Sequence, residues 1–132
     1  MRLQLALNVD DLDEAVEFYS KMFDTAPAKT RPGYANFAIE DPPLKLVLFE
    51  KGGTPGSINH LGVETDTADE VVLAEARLSE QELETTGVDD TMCCYATKTE
   101  TWVDAPDGNR WEWYVKSGDS EQFENVIISS IT

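Results

Sequence analysis

The chain has 132 residues, with 26 Asp and Glu against 10 Lys and Arg, and a net charge of −16. That charge excludes nucleic acid and anionic membrane as partners, because both are held through a basic footprint. The length suits one domain or two small fused units, and no apolar run approaches the ~20 residues that span a bilayer.

The first predicted element is a strand in which Leu3, Leu5, Leu7 and Val9 alternate with Gln4, Ala6 and Asn8. Asp11-x-x-Glu14 then has the spacing of a capping box, and Leu12, Val16, Tyr19 and Phe23 form an apolar stripe of helical period. Asp24 to Pro27 breaks this helix. Strands are expected over Tyr34–Ile39 and Leu44–Phe49, separated by Asp41-Pro42-Pro43. Lys51 to Ser57, rich in glycine, is a linker or mobile loop. The next strand carries His60, Leu61, Gly62, Val63 and Glu64. Thr67-x-x-Glu70 opens a second helix with Val71 and Leu78 on its buried stripe and Val72 and Ala74 as further members. Thr86-Gly87 ends that region. Strands follow over Met92–Ala96, Thr101–Val103 and Trp111–Val115, the last two joined by the turn Asp104 to Asn109. Residues 117–132 start polar, end with Val126-Ile127-Ile128, and are read as a tail, free or docked.

Residues 4–16 and 60–72 align without gaps at an offset of 56, with Leu5/Leu61, Asp10/Asp66, Asp13/Asp69, Glu14/Glu70 and Val16/Val72 identical. Self-similarity at a fixed period points to duplicated architecture. The expected fold is therefore α+β. Two βαβββ modules (about 1–50 and 58–116, with 51–57 as linker or lid and 117–132 as tail) would form a curved, partly open, barrel-like sheet with helices outside.

The repeat places Gln4 and His60 at the same point on the same face of equivalent strands. Glu112 is a third candidate on that face. A carboxylate inside the strand Trp111-Glu112-Trp113-Tyr114-Val115 is costly to bury unless paired or bound to metal. Alternation turns Glu112 and Tyr114 inward and Trp111, Trp113 and Val115 toward a helix. In the first module apolar Leu46 is read as lying near the position equivalent to Glu112, so the duplicated scaffold would supply three ligands. One imidazole, one amide and one carboxylate resemble the two-His-one-carboxylate triad of non-heme iron, and Fe, Mn, Ni or Zn would fit. The competing reading is a hydrogen-bonded core histidine and a half-exposed Glu112.

Cys93 and Cys94 are the two cysteines and are adjacent. A bond between them closes no useful loop, so they are read as thiols in a reducing compartment. On a regular strand they would face opposite ways; on a bend they could chelate a soft ion or a trivalent metalloid. Two small buried hydrophobes remain the plainer alternative. The opening Met1-Arg2-Leu3-Gln4-Leu5 meets Asp10 and Asp11 too early for a signal peptide. The expected location is the cytoplasm.

The doubled unit with Gln4, His60 and Glu112 resembles the vicinal oxygen chelate superfamily of glyoxalases, extradiol dioxygenases and bleomycin-binding proteins. Gln4-Leu-Ala-Leu-Asn-Val9, Phe18-Tyr-Ser-Lys21, Arg31-Pro-Gly-Tyr-Ala-Asn-Phe37, Pro42-Pro-Leu-Lys-Leu-Val47, Asn59-His-Leu-Gly-Val63 and Cys93-Cys-Tyr-Ala96 are similar to the organoarsenical carbon–arsenic lyases and the related cadmium-induced proteins. The resemblance covers about residues 3–115. It implies a non-heme Fe(II) dioxygenase, with Ni, Mn, Co or Zn as alternative occupants and O2 as co-substrate. Gln4, His60 and Glu112 would hold the metal, and Cys93 and Cys94 would hold the arsenic of a trivalent methyl or aryl arsenical. Tyr95, Tyr114, Asn36 and Phe37 would line the cavity. The chain departs from the pattern at Glu100, where many members carry Lys; here Lys98 is the nearby one.

Other classes stay open: a thiol-based protein that sequesters Cd(II) or As(III), a glyoxalase or thiol-transferase type enzyme, and a bleomycin-type binding protein. Superfamily members pair half-units within or between chains, so a homodimer is compatible with the sequence. The acidity fits an ordinary acidic protein or, alternatively, adaptation to high salt.

Overall fold

Both helices begin where the capping pattern puts them. A computed structural model of the chain describes residues 1–93, 95–119 and 126–130, with the side chains of Cys93, Asp119, Ser129 and Ser130 outside that description. Helix α1 (Leu12–Met22) is capped by Asp11, whose carboxylate accepts from Glu14 N at 3.0 Å. Helix α2 (Ala68–Glu80) is capped by Thr67, whose hydroxyl oxygen accepts from Glu70 N at 3.2 Å, while Glu70 Oε1 reaches back to Asp66 N at 3.1 Å. Each cap satisfies backbone N–H groups that the helix itself cannot.

The chain divides into two compact units, Arg2–Leu61 and Gly62–Thr132, with Met1 grouped with the latter. The first contains β1 (Arg2–Asn8), α1, β2 (Lys29–Arg31), β3 (Tyr34–Ile39), β4 (Leu44–Phe49) and the start of β5 (Ile58–Glu64). Its strand order is β2-β3-β4-β1-β5. Strand β1 runs parallel to β4, so α1 serves as part of the crossover between them. One face packs under α1: Leu12, Ala35, Phe37, Ile39, Leu46 and Leu48 are buried together, with Leu5, Leu7, Val16, Tyr19 and Phe23 against them. Burial of each large side chain here stabilises by roughly 1.5–3 kcal/mol.

The second unit contains the end of β5, α2, β6 (Asp89–Cys93), β7 (Ala96–Asp104), β8 (Arg110–Asp119) and β9 (Val126–Ser130). Its order is β5-β8-β7-β6-β9. Val71, Ala74 and Leu78 of α2 are buried, and the Arg77 guanidinium lies 5.5 Å from the Trp113 ring centre.

The fold is α+β, and each unit carries a βαβββ module. The equivalence reaches the hydrogen bonds. Val9 N donates to Phe49 O at 2.9 Å, and Thr65 N, at the repeat offset, donates to Tyr114 O at 2.7 Å.

Several elements differ from expectation. Strand β2 was not anticipated. Met92–Ala96 is not one strand: β6 ends at Cys93, Tyr95 has φ 65°, and β7 starts at Ala96 and runs through Thr101–Val103 without a break. Val72 is 39% exposed, because the buried stripe of α2 is set by Val71, Ala74 and Leu78. The described part of the tail is docked as strand, since β8 extends to Asp119 and β9 pairs antiparallel with β6. Among the described residues no helix is long and apolar enough to cross a membrane.

Candidate functional site

In the first unit the strand period separates two faces. Leu5 and Leu7 pack under α1, while Gln4, Ala6 and Asn8 are buried on the opposite face. Register extends that second face across the sheet. Gln4 is level with Lys45 and Ala38, Ala6 with Val47 and Asn36, and Asn8 with Phe49 and Tyr34. His60, on β5, is also buried; its ring centre lies 6.1 Å from that of Phe49 and its Nδ1 lies 2.8 Å from Asn59 Oδ1. Asn36 is on the Gln4 face and donates through Nδ2 to Tyr34 Oη at 2.9 Å. Phe37 is not: it belongs to the core beneath α1, since adjacent strand residues point opposite ways.

In the second unit, Glu112 is fully buried and Tyr114 is 3% exposed, while Trp111, Trp113 and Val115 are half-buried on the other face of β8. Register sets Trp102 opposite Glu112 and Glu100 opposite Tyr114. Lys98 Nζ lies 3.5 Å from Glu112 Oε1 and 4.9 Å from the centre of the Tyr114 ring. Thr91 Oγ1 donates to Glu100 Oε1 at 2.9 Å, and Tyr114 Oη donates to Glu64 Oε2 at 3.4 Å. The sequence singled out Glu112 and Tyr114, and Lys98 and Glu100 only as a departure from the family pattern, not as part of one polar set with Thr91 and Glu64. Its signal was the alternation of Lys98 and Glu100 along β7.

Tyr95 is half-buried between β6 and β7. The side chain of Cys93 and the whole of Cys94, assigned to arsenic, lie outside the described residues.

The paired bonds of Val9 and Thr65 also fix which first-unit residue corresponds to Glu112. Phe49 corresponds to Tyr114, so Val47, two residues earlier, corresponds to Glu112. Leu46, read from sequence as near that position, is one residue away and faces the α1 core. The counterpart is apolar either way.

Among the described residues no three His, Cys, Asp or Glu side chains gather as a metal cluster. The predicted set has only two members of those types, His60 and Glu112, because its third donor is the amide of Gln4. All three are buried, and imidazole, amide oxygen and carboxylate suit a borderline divalent ion such as Fe(II), Mn(II), Ni(II) or Zn(II).

The model of the glyoxalase/bleomycin resistance protein/dioxygenase superfamily matches residues 3–113. The chain belongs to that superfamily. Among superfamily relatives, it is 56% identical over 122 residues to the cadmium-induced protein CadI of Mycobacterium tuberculosis, covering 92% of this chain and 80% of the relative. It is 52% identical over 121 residues to a trivalent organoarsenical cleaving enzyme of Thermomonospora curvata, covering 91% and 80%. The superfamily fold is also seen in the Mn(II)-bound glyoxalase of Novosphingobium aromaticivorans, at TM-score 0.62 and 15% identity over 91% of this chain and 40% of that one.

Proposed function

We propose that this chain is a non-heme Fe(II) dioxygenase that cleaves the carbon–arsenic bond of trivalent organoarsenicals and releases arsenite. The observation that carries the reading is the 52% identity to a trivalent organoarsenical cleaving enzyme across 91% of the chain. The buried donors Gln4, His60 and Glu112 support it, as does the Cys93-Cys94 pair in the sequence.

Gln4, His60 and Glu112 would hold the metal, and three protein ligands would leave positions open for small molecules. Bound iron would supply Lewis acidity and redox chemistry toward O2. The thiols of Cys93 and Cys94 would bind and orient the arsenic, which restricts substrates to the trivalent, thiophilic state. For a methyl arsenical the reaction closes without a further reductant: CH3As(OH)2 and O2 give As(OH)3 and CH2O. The C–As bond breaks, carbon is oxidised and O2 is fully reduced. Thiol chemistry of this kind suits a reducing cytoplasm.

The test reconstitutes the protein with Fe(II) under a thiol reductant and adds trivalent methylarsenical with and without O2. Arsenite and formaldehyde in equal amounts, only with O2, are expected. The second reading, sequestration of Cd(II) or As(III) by the thiols, is favoured by the 56% identity to a protein named for its induction by cadmium. Methylarsenical that stays bound and intact would establish that reading and overturn the first.

A further inference from the structure

Two linked side-chain amides of the first unit, Asn8 and Asn59, are used by no part of the proposed chemistry. Asn59 Nδ2 donates to Asn8 Oδ1 at 3.0 Å and to Gly52 O at 3.3 Å. Turning that amide over would set oxygen against oxygen at both contacts, so its orientation is fixed. Asn59 Oδ1 therefore faces His60 Nδ1 at 2.8 Å as an acceptor, and Nδ1 must carry the proton. Asn8 is fixed in the same way. Its Nδ2 donates to Ser57 Oγ at 2.9 Å, and Ser57 spends its own hydroxyl proton on Thr54 O.

The loop that supplies Thr54 and Ser57 is seated on these amides. Asn8 N donates to Ser57 O at 2.9 Å and Gly56 N donates to Asn8 O at 2.8 Å. A Cβ at Gly52 would fall 2.5 Å from Asn8 Oδ1 and 2.8 Å from Asn59 Nδ2, and one at Gly53 would fall 2.8 Å from Asn8 Nδ2. Only glycine lets the backbone approach so closely.

We propose that Asn8 and Asn59 are positioning residues that lock His60 in its Nδ1–H tautomer, aim its Nε2 lone pair at the metal, and tie that orientation to the loop 51–57. A ligand histidine whose second nitrogen is held by a fixed acceptor loses neither tautomer nor ring orientation when the metal leaves. The acceptor here is an amide whose own direction is set, through Asn8 and Ser57, by the backbone carbonyl of Thr54. The inference rests on His60 being a metal ligand.

The chain has one histidine, so nitrogen NMR of its imidazole needs no assignment. The measurements are the His60 tautomer in metal-free and Zn(II)-loaded protein, and the Zn(II) dissociation constant by chelator competition. They are made on wild type, Asn59→Ala, Asn59→Asp and Asn8→Ala, with a thermal melt confirming that each is folded. The expected wild type carries its proton on Nδ1 and binds Zn(II) through Nε2. Asn59→Ala and Asn8→Ala should mix the tautomers and weaken Zn(II) binding about 10–100-fold. Asn59→Asp keeps the acceptor for Nδ1 but loses the donor to Asn8 Oδ1 and Gly52 O, so it should keep the Nδ1–H tautomer while leaving the tie to the loop broken. A wild type protonated on Nε2, or an Asn59→Ala protein with the wild-type tautomer and affinity, overturns the proposal. Failure of the underlying reading looks different: imidazole signals would ignore Zn(II), and His60→Ala would bind it as tightly as wild type.

Discussion

Lys98 Nζ stands 3.5 Å from Glu112 Oε1, with the two side chains 8% and 0% exposed. An ammonium so placed offsets a carboxylate charge that burial penalises. It also occupies the surroundings of an oxygen proposed to bind metal. Lys98→Met should therefore destabilise the metal-free protein by about 3 kcal/mol, and metal should recover most of that loss. Urea melts with and without Zn(II) read both numbers. Equal losses in the two states would separate Lys98 from the metal.

The ligand and thiol assignments predict different failures. His60→Ala and Glu112→Ala should lose stoichiometric Fe(II), measured by elemental analysis after desalting. Cys94→Ser should keep iron and lose arsenite release. Wild-type turnover in Cys94→Ser would remove the thiol from the mechanism.

Phe37 and Asn36 are neighbours with opposite fates. Phe37→Ala opens a cavity in the α1 core and should cost about 3–5 kcal/mol, read as a shift in the urea midpoint. Asn36→Ala should cost less, since it removes chiefly one hydrogen bond, worth about 1 kcal/mol, to Tyr34.

The Thr67 cap is testable alone. Thr67→Ala should cost about 1 kcal/mol, and Thr67→Ser should restore it. The same thermal melts, run in molar KCl, should show a raised Tm, because salt screens the self-repulsion of a chain of net charge −16. A Tm that falls would count against salt adaptation.

What could be read in the sequence was what local rules decide. The caps at Asp11 and Thr67 and the alternation of β1 and β8 announce themselves within a few residues, and with the repeat they lead to the doubled module. Strand β2, Lys29-Thr30-Arg31, has no apolar pattern and exists because β3 pairs with it. Strand β6 starts as Asp89-Asp90-Thr91, a polar run held by neighbours on both sides. Its extent depends on those partners more than on its own composition. Leu46, read as near the counterpart of Glu112, is one residue from it, and in a strand one residue changes the face. The Asn8–Asn59 contact spans 51 residues, and no local signal encodes it.

Strand β9 has a consequence for how the protein survives truncation. It pairs with β6 through Met92–Val126 and Thr91–Ile127, and it presents Val126, Ile127 and Ile128 to solvent at 42%, 60% and 55% exposure. It therefore shields the backbone of the strand that ends at Cys93. A chain shortened before residue 126 would bare that backbone along Asp89–Cys93 as a template for foreign strands, beside the segment that carries both thiols. Proteolytic removal of β9 would be felt first as self-association through the bared strand.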